Sequence, residues 1–157
     1  MKEIKTSTFA LYSHIANVIA KHKRIVMAIP GNKKNPSFFY TIGNQEKNIP
    51  ELLLLGNFEP DSITAALNAL SDLLVERGKP FDEGELINLG GEHSVAVWNT
   101  QPKVHHEYTV QAGQFYGNED YEVQQVVIPD KNGRWPDNPL CHKNWRVPVY
   151  KKLHLDS

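Results

Sequence analysis

Three groups of residues have the types and spacing that chemistry would need. The first is His105-His106-Glu107, two imidazoles and a carboxylate in a row, donor types that zinc favours. Consecutive residues diverge by about 100° on a helix and point to opposite faces on a strand, so one ion can take only one of the two histidines. A metal would therefore combine His105 or His106 with His93, His142 or Asp130 from elsewhere. The alternative is a polar segment opening a short helix, with Glu107 at its positive end. The second group is Tyr40, Thr41, Gly43 and Glu51: two hydroxyls, a glycine that allows close backbone approach, and a carboxylate. Such residues at strand ends suit the wall of a ligand pocket. They serve equally as structure, with Glu51 accepting backbone N–H groups at a strand start. The third group is Asp130, Gly133, Arg134 and Trp135. Guanidinium and indole suit a phosphate and a stacked ring, while Asp130 and Gly133 also suit a plain turn.

Other catalytic patterns are missing. The chain has no Gly-x-Ser-x-Gly elbow, no Walker-type phosphate loop and no dinucleotide glycine fingerprint. Ser13-His14 has no acid partner at a useful spacing. Cys141 is the single cysteine, so no intrachain disulfide forms, and a reducing compartment suits it. Lys and Arg number 17 against 18 for Asp and Glu, and that balance argues against a protein that works through phosphate backbones. The basic clusters Lys21–Arg24, Lys33-Lys34 and Lys151-Lys152 read as solvated ends of elements. No apolar run reaches the ~20 residues of a membrane span. No apolar signal region follows the N-terminal charges. The expectation is a cytoplasmic protein without nucleic-acid or membrane partners.

The elements that must position these residues follow from periodicity. A helix is expected from Ser7 or Thr8, with Leu11, Ile15, Val18, Ile19 and His22 on one stripe. Strands follow at 25–29 and 38–42; alternation puts Phe38, Tyr40 and Ile42 on one face and Phe39 and Thr41 on the other. Leu52 to Leu55 is apolar on both faces, which predicts a central strand. Pro60 opens a long helix over 60–77 whose stripe is Ile63, Leu67, Leu70 and Leu74, and Gly78 ends it. A strand near 86–89 and another at 94–98 flank Gly90-Gly91, which fits a hairpin. A short helix is expected near 106–116 and a last strand within 121–128. Pro129 to Gly133 is a turn, and residues 135–157 form an irregular C-terminal wrap, with Val147 to Tyr150 pairing as an edge. The fold class is α+β: a mostly antiparallel sheet of about six strands carrying one long helix, in a single domain over 1–157.

Three passages together resemble a bacterial group of domains of unknown function, the family numbered 4262. They are Phe39-Tyr40-Thr41-Ile42-Gly43, Pro50-Glu51-Leu52, and Pro129-Asp130-Lys131-Asn132-Gly133-Arg134-Trp135-Pro136. Phe115-Tyr116-Gly117 also fits, and the similarity spans roughly residues 24 to 136. The group often carries a histidine before Pro-Glu, where this chain has Ile49, so no histidine role is carried over. It also tends to end in Gln-Pro, where Arg146-Val147-Pro148 stands here. The resemblance implies an α+β fold and a bacterial or phage setting, and no particular chemistry.

The leading expectation is a binding domain without a cofactor. It would use Tyr40, Thr41, Gly43, Glu51, Asp130, Arg134 and Trp135 for a small, nucleotide-like ligand or a partner protein, with a homodimer left open. One alternative is a metal-assisted hydrolase with His105 or His106 and Asp130 as ligands and Glu51 or Glu107 as base. Another is a toxin-neutralising interaction protein using the aromatic tail.

Overall fold

The computed structural model describes residues 2–153. The first helix, α1 (Lys2–His22), starts several residues before the expected cap, so Ser7 and Thr8 lie inside it. Its Ile15 and Ile19 are buried, as the stripe required. Then come β1 (Ile25–Ile29), β2 (Phe38–Ile42), a 3-10 turn (Asn44–Lys47), β3 (Glu51–Leu55) and α2 (Pro60–Arg77). The Glu59 carboxylate caps α2 by accepting the N–H groups of Asp61 and Ser62 at 3.0 and 2.8 Å. The remaining elements are β4 (Glu85–Ile87), β5 (Val95–Asn99), α3 (Val104–Glu107), α4 (Val110–Tyr116), β6 (Val123–Val127) and a 3-10 turn at Lys143–Trp145. The one helix expected near 106–116 is two pieces, because the chain leaves helical geometry at Tyr108 and Thr109.

The six strands form one open sheet in the order β1-β2-β3-β6-β5-β4. All neighbours are antiparallel except β3 and β6, where Glu51 pairs with Val123 and Leu54 with Val126. The last strand is thus inserted at the centre of the sheet. All five residues of β3 are buried, as a central strand with two covered faces demands.

Face assignment follows the alternation of each strand. Phe39, Leu52, Leu54, Val97 and Val126 turn to α2 and meet Ile63, Leu67, Leu70 and Leu74. Tyr40, Ile42, Leu53, Leu55 and Val123 turn the other way, to Ile15 and Ile19 of α1 and to Val104 and Ala112 of α3 and α4. At the β5–β4 end of that second face the C-terminal segment takes over from the helices. The buried Gln125 side chain holds it there by donating to Pro148 O and accepting from Tyr150 N, each at 2.8 Å. Asn99 O accepts Lys152 N at 2.7 Å, and Thr100 bridges Lys151. The edge pairing expected over Val147 to Tyr150 is thus replaced by a single bridge at Lys151, just past that range, because Gln125 engages Pro148 and Tyr150 through its side chain. Among the described residues no helix is long and apolar enough to cross a membrane.

Candidate functional site

Glu51 opens β3, and its carboxylate collects donors from three other segments: the end of β2, the 3-10 turn after it and the end of α4. After β2 the backbone turns at Gly43 (φ 124°) into the 3-10 turn. That turn aims Asn44 N at 3.2 Å and Gln45 N at 3.0 Å at the carboxylate, while Gly43 N donates to the Tyr116 hydroxyl oxygen at 2.7 Å and lies 3.3 Å from Oε2. Thr41 Oγ1 donates to Oε1 at 2.7 Å, and the Tyr116 hydroxyl at the end of α4 donates to Oε2. The Asn44 side chain extends the network to Ser71 Oγ of α2 at 2.9 Å and to Pro50 O at 3.0 Å. Behind it, the buried Arg24 guanidinium donates to Asn44 Oδ1 at 3.0 Å, Asn68 Oδ1 at 3.2 Å and Asp72 Oδ1 at 2.9 Å.

Burial pushes the Glu51 carboxyl above the ordinary Glu value, while the donors from Tyr116, Thr41, Gln45 and Asn44 pull against that rise. Burial and the neighbouring carboxylate likewise raise Tyr116. Glu51 and Thr41 have no exposed surface, so this cluster ties β2, β3, α2 and α4 together and offers no open face to a substrate. Tyr40 lies on the opposite face of the sheet, where its hydroxyl donates to Gln111 Oε1.

Asp130 organises a second place. Its Oδ1 accepts Asn132 N and Arg134 N, each at 2.9 Å, and its Oδ2 accepts His142 N at 2.9 Å. The carboxylate thus closes the turn and anchors the C-terminal segment to it. Arg134 Nη1 donates to Leu140 O at 3.2 Å. Burial works against the charge on Asp130, but the N–H groups of Arg134, His142 and Asn132 outweigh it and hold its pKa below the ordinary value. The folded state therefore releases this proton more readily than the unfolded chain does. Its stabilising contribution is complete above the ordinary value of 3.8 and fades as pH falls through the depressed one. In melts from pH 3 to 7, the stability gap between wild type and Asp130→Asn should be widest near neutrality and close in acid. A gap independent of pH would refute the assignment.

The histidine pair sits at α3. Both ring nitrogens of His105 face backbone carbonyls, Pro102 O at 2.9 Å and Tyr121 O at 2.8 Å, so neither is presented to an ion. His106 Nδ1 lies 3.1 Å from Glu119 Oε1 on an exposed surface. Among the described residues no three His, Cys, Asp or Glu side chains gather as a metal group.

Trp135 lines a different feature, a cleft of about 280 Å³ between the sheet and the C-terminal segment. Leu86, Ala96 and Val127 form its floor, and Trp98, Trp135 and Val149 add walls. Lys151 and Asp137 are its charged lining groups. Trp98 is wedged in place: an added Cβ on Gly84 would lie 3.0 Å from its ring, and Lys151 Nζ sits 3.7 Å from its ring centroid. The sequence groups thus separate into a buried knot (Thr41, Gly43, Glu51), a turn anchor (Asp130, Arg134) and a cleft wall (Trp135). Trp98 belongs with the last, and its signal was legible: in Val-Ala-Val-Trp it shares the outward parity with Ala96, away from the core valines.

A family model described as "Domain of unknown function (DUF4262)" matches residues 18–142. No curated protein and no solved structure matches the chain.

Proposed function

Since the chain belongs to the family of domains of unknown function DUF4262, we propose a function from its own side chains: it is a binding domain whose Trp98–Trp135 cleft takes a small planar ligand carrying one acidic group. The observation that carries this reading is the cleft itself. Two indoles from distant segments, an apolar floor, a lysine and an aspartate close around a space of about 280 Å³, the usual make-up of a small-ligand pocket. Indole faces suit a flat ring, and Lys151, now resting on Trp98, supplies the counter-charge. A nucleotide-like ligand meets both requirements. In this reading Thr41, Gly43, Glu51 and Asp130 hold the frame, and Trp135 makes contact. Metal-assisted hydrolysis has weaker support, because the His105 nitrogens and the Asp130 oxygens already have backbone partners.

The test uses 8-anilinonaphthalene-1-sulfonate, a flat anionic fluorophore, with the folded protein. Binding at the cleft should quench Trp98 and Trp135 emission, weaken about tenfold in Trp135→Ala through lost ring contact, and weaken less in Lys151→Gln. Equal binding by wild type and a folded Trp98→Ala/Trp135→Ala variant would sink the proposal. Native mass spectrometry of the gently purified protein should also show an adduct that Trp135→Ala loses.

A further inference from the structure

A second cavity, of about 370 Å³, has a different chemistry. Its lining includes Lys33 and Lys34 from the β1–β2 loop and Lys143 and Arg146 from the C-terminal segment, and among the described residues no aspartate or glutamate. In a chain with 18 acidic residues against 17 basic ones, four cations brought from two distant segments without one acid among the described lining residues are a local imbalance. Among the described residues, none of the four pairs with a carboxylate. Arg146 uses only Nη2, which donates to Pro139 O and Cys141 O.

Two of the four lining asparagines, Asn32 and Asn57, and a tyrosine pair have the same bias toward donors. Asn32 Oδ1 already accepts Lys34 N at 2.8 Å and Asn35 N at 2.9 Å, and Asn57 Oδ1 accepts Ser37 N at 2.8 Å. Each of these amides is left with its NH2 end to offer. The Tyr108 and Tyr150 hydroxyls lie 2.7 Å apart. One proton joins them, so the pair has a second proton to give. Positive charge and available N–H and O–H donors meet in one place, which is the chemistry of an oxyanion site.

We propose that this cavity binds a small phosphate-bearing molecule, with Lys33, Lys34, Lys143 and Arg146 as counter-charges and the Asn32 and Asn57 NH2 groups as neutral donors. The site is separate from the tryptophan cleft, but the two share a wall. Val149 and Lys151 line the cleft, whereas Val147, Pro148 and Tyr150 line the cationic cavity. The Lys33-Lys34 step, which by sequence is just a solvated loop, acquires a role only because the C-terminal segment comes beside it.

Isothermal titration with inorganic pyrophosphate, at low and matched ionic strength, tests the proposal on the full chain. Wild type should bind one equivalent. Lys34→Gln/Lys143→Gln should weaken binding about tenfold or more. Lys21→Gln/Lys79→Gln, which removes the same charge from exposed positions elsewhere, should bind like wild type. Thermal melts should place all three proteins within a few degrees of one another, since the four lysines replaced are exposed. No binding by wild type, or equal weakening in both double variants, would overturn the site. Tighter binding of a single-stranded oligonucleotide than of pyrophosphate would overturn the small-molecule assignment.

Discussion

Glu51→Ala should lose about 4 kcal/mol or more of folding stability, because it leaves several buried donors without an acceptor at once. The N–H groups of Asn44 and Gln45 and the hydroxyls of Thr41 and Tyr116 lose their carboxylate acceptor, while Gly43 N, 3.3 Å from the carboxylate, keeps the Tyr116 hydroxyl oxygen at 2.7 Å. A small domain often has only ~5–15 kcal/mol in total, so urea melts should find the variant near the edge of folding. A loss below about 1 kcal/mol would mean that the donors find other partners and that the knot does not organise this part of the fold.

Glu51→Gln keeps the shape and separates charge from volume. Its NH2 group must replace an acceptor on a side where N–H groups already point inward, so it too should be destabilising, by about 2 kcal/mol. The pH dependence has a definite sign. Burial raises the Glu51 pKa, so the folded state binds this proton more tightly than the unfolded chain. Its contribution is complete below the ordinary value of 4.5 and declines as pH rises through the raised value. The stability gap between wild type and Glu51→Gln should therefore narrow from pH 4 toward neutrality, opposite in direction to the gap for Asp130→Asn. Parallel curves for wild type and Glu51→Gln would remove the linkage.

The second large effect is expected at Gly43. Its φ of 124° is strained for any residue with a Cβ, and an added Cβ would stand 2.7 Å from Lys23 O and 2.9 Å from Arg24 Cα. Both obstacles are backbone, so relief means moving the α1–β1 connection or the turn that feeds Glu51. Gly43→Ala should cost about 3 kcal/mol or more, the sum of conformational strain and overpacking. Gly117→Ala is the control. Its φ is 77°, with nothing within 4 Å of the added carbon, so only the left-handed penalty of ~1–2 kcal/mol applies. Equal losses at the two positions in chemical denaturation would show that the close approach at Gly43 does not matter.

These effects arise from residues whose types stood out in the sequence, although their arrangement did not. Tyr40 and Thr41 are neighbours in the chain, yet β2 alternation sends them to opposite faces of the sheet. The alternation was readable; that Thr41 would meet Glu51, and Tyr40 would meet Gln111, was not. Asn44 and Arg24 looked like ordinary loop and helix-end residues. They matter because α2 lays Ser71, Asn68 and Asp72 beside them, and a helical stripe of leucines carries no sign of which polar residues at its margin will be buried.

What the chain determined by itself is local. Leu52 to Leu55 had to be covered on both sides, the α2 stripe had to lie on a sheet, and Asp130 to Gly133 had to turn, because side-chain periodicity, helix ends and turn chemistry act over a few residues. What the tertiary structure decided is non-local. It inserted β6 between β3 and β5, buried Glu51 among donors from three segments, and used the 147–151 segment to wall both cavities. Strand order depends on which distant surfaces bury the most apolar area together. A cleft or a cationic pocket exists only where that packing leaves a gap, so its residues share no spacing in the sequence to announce it.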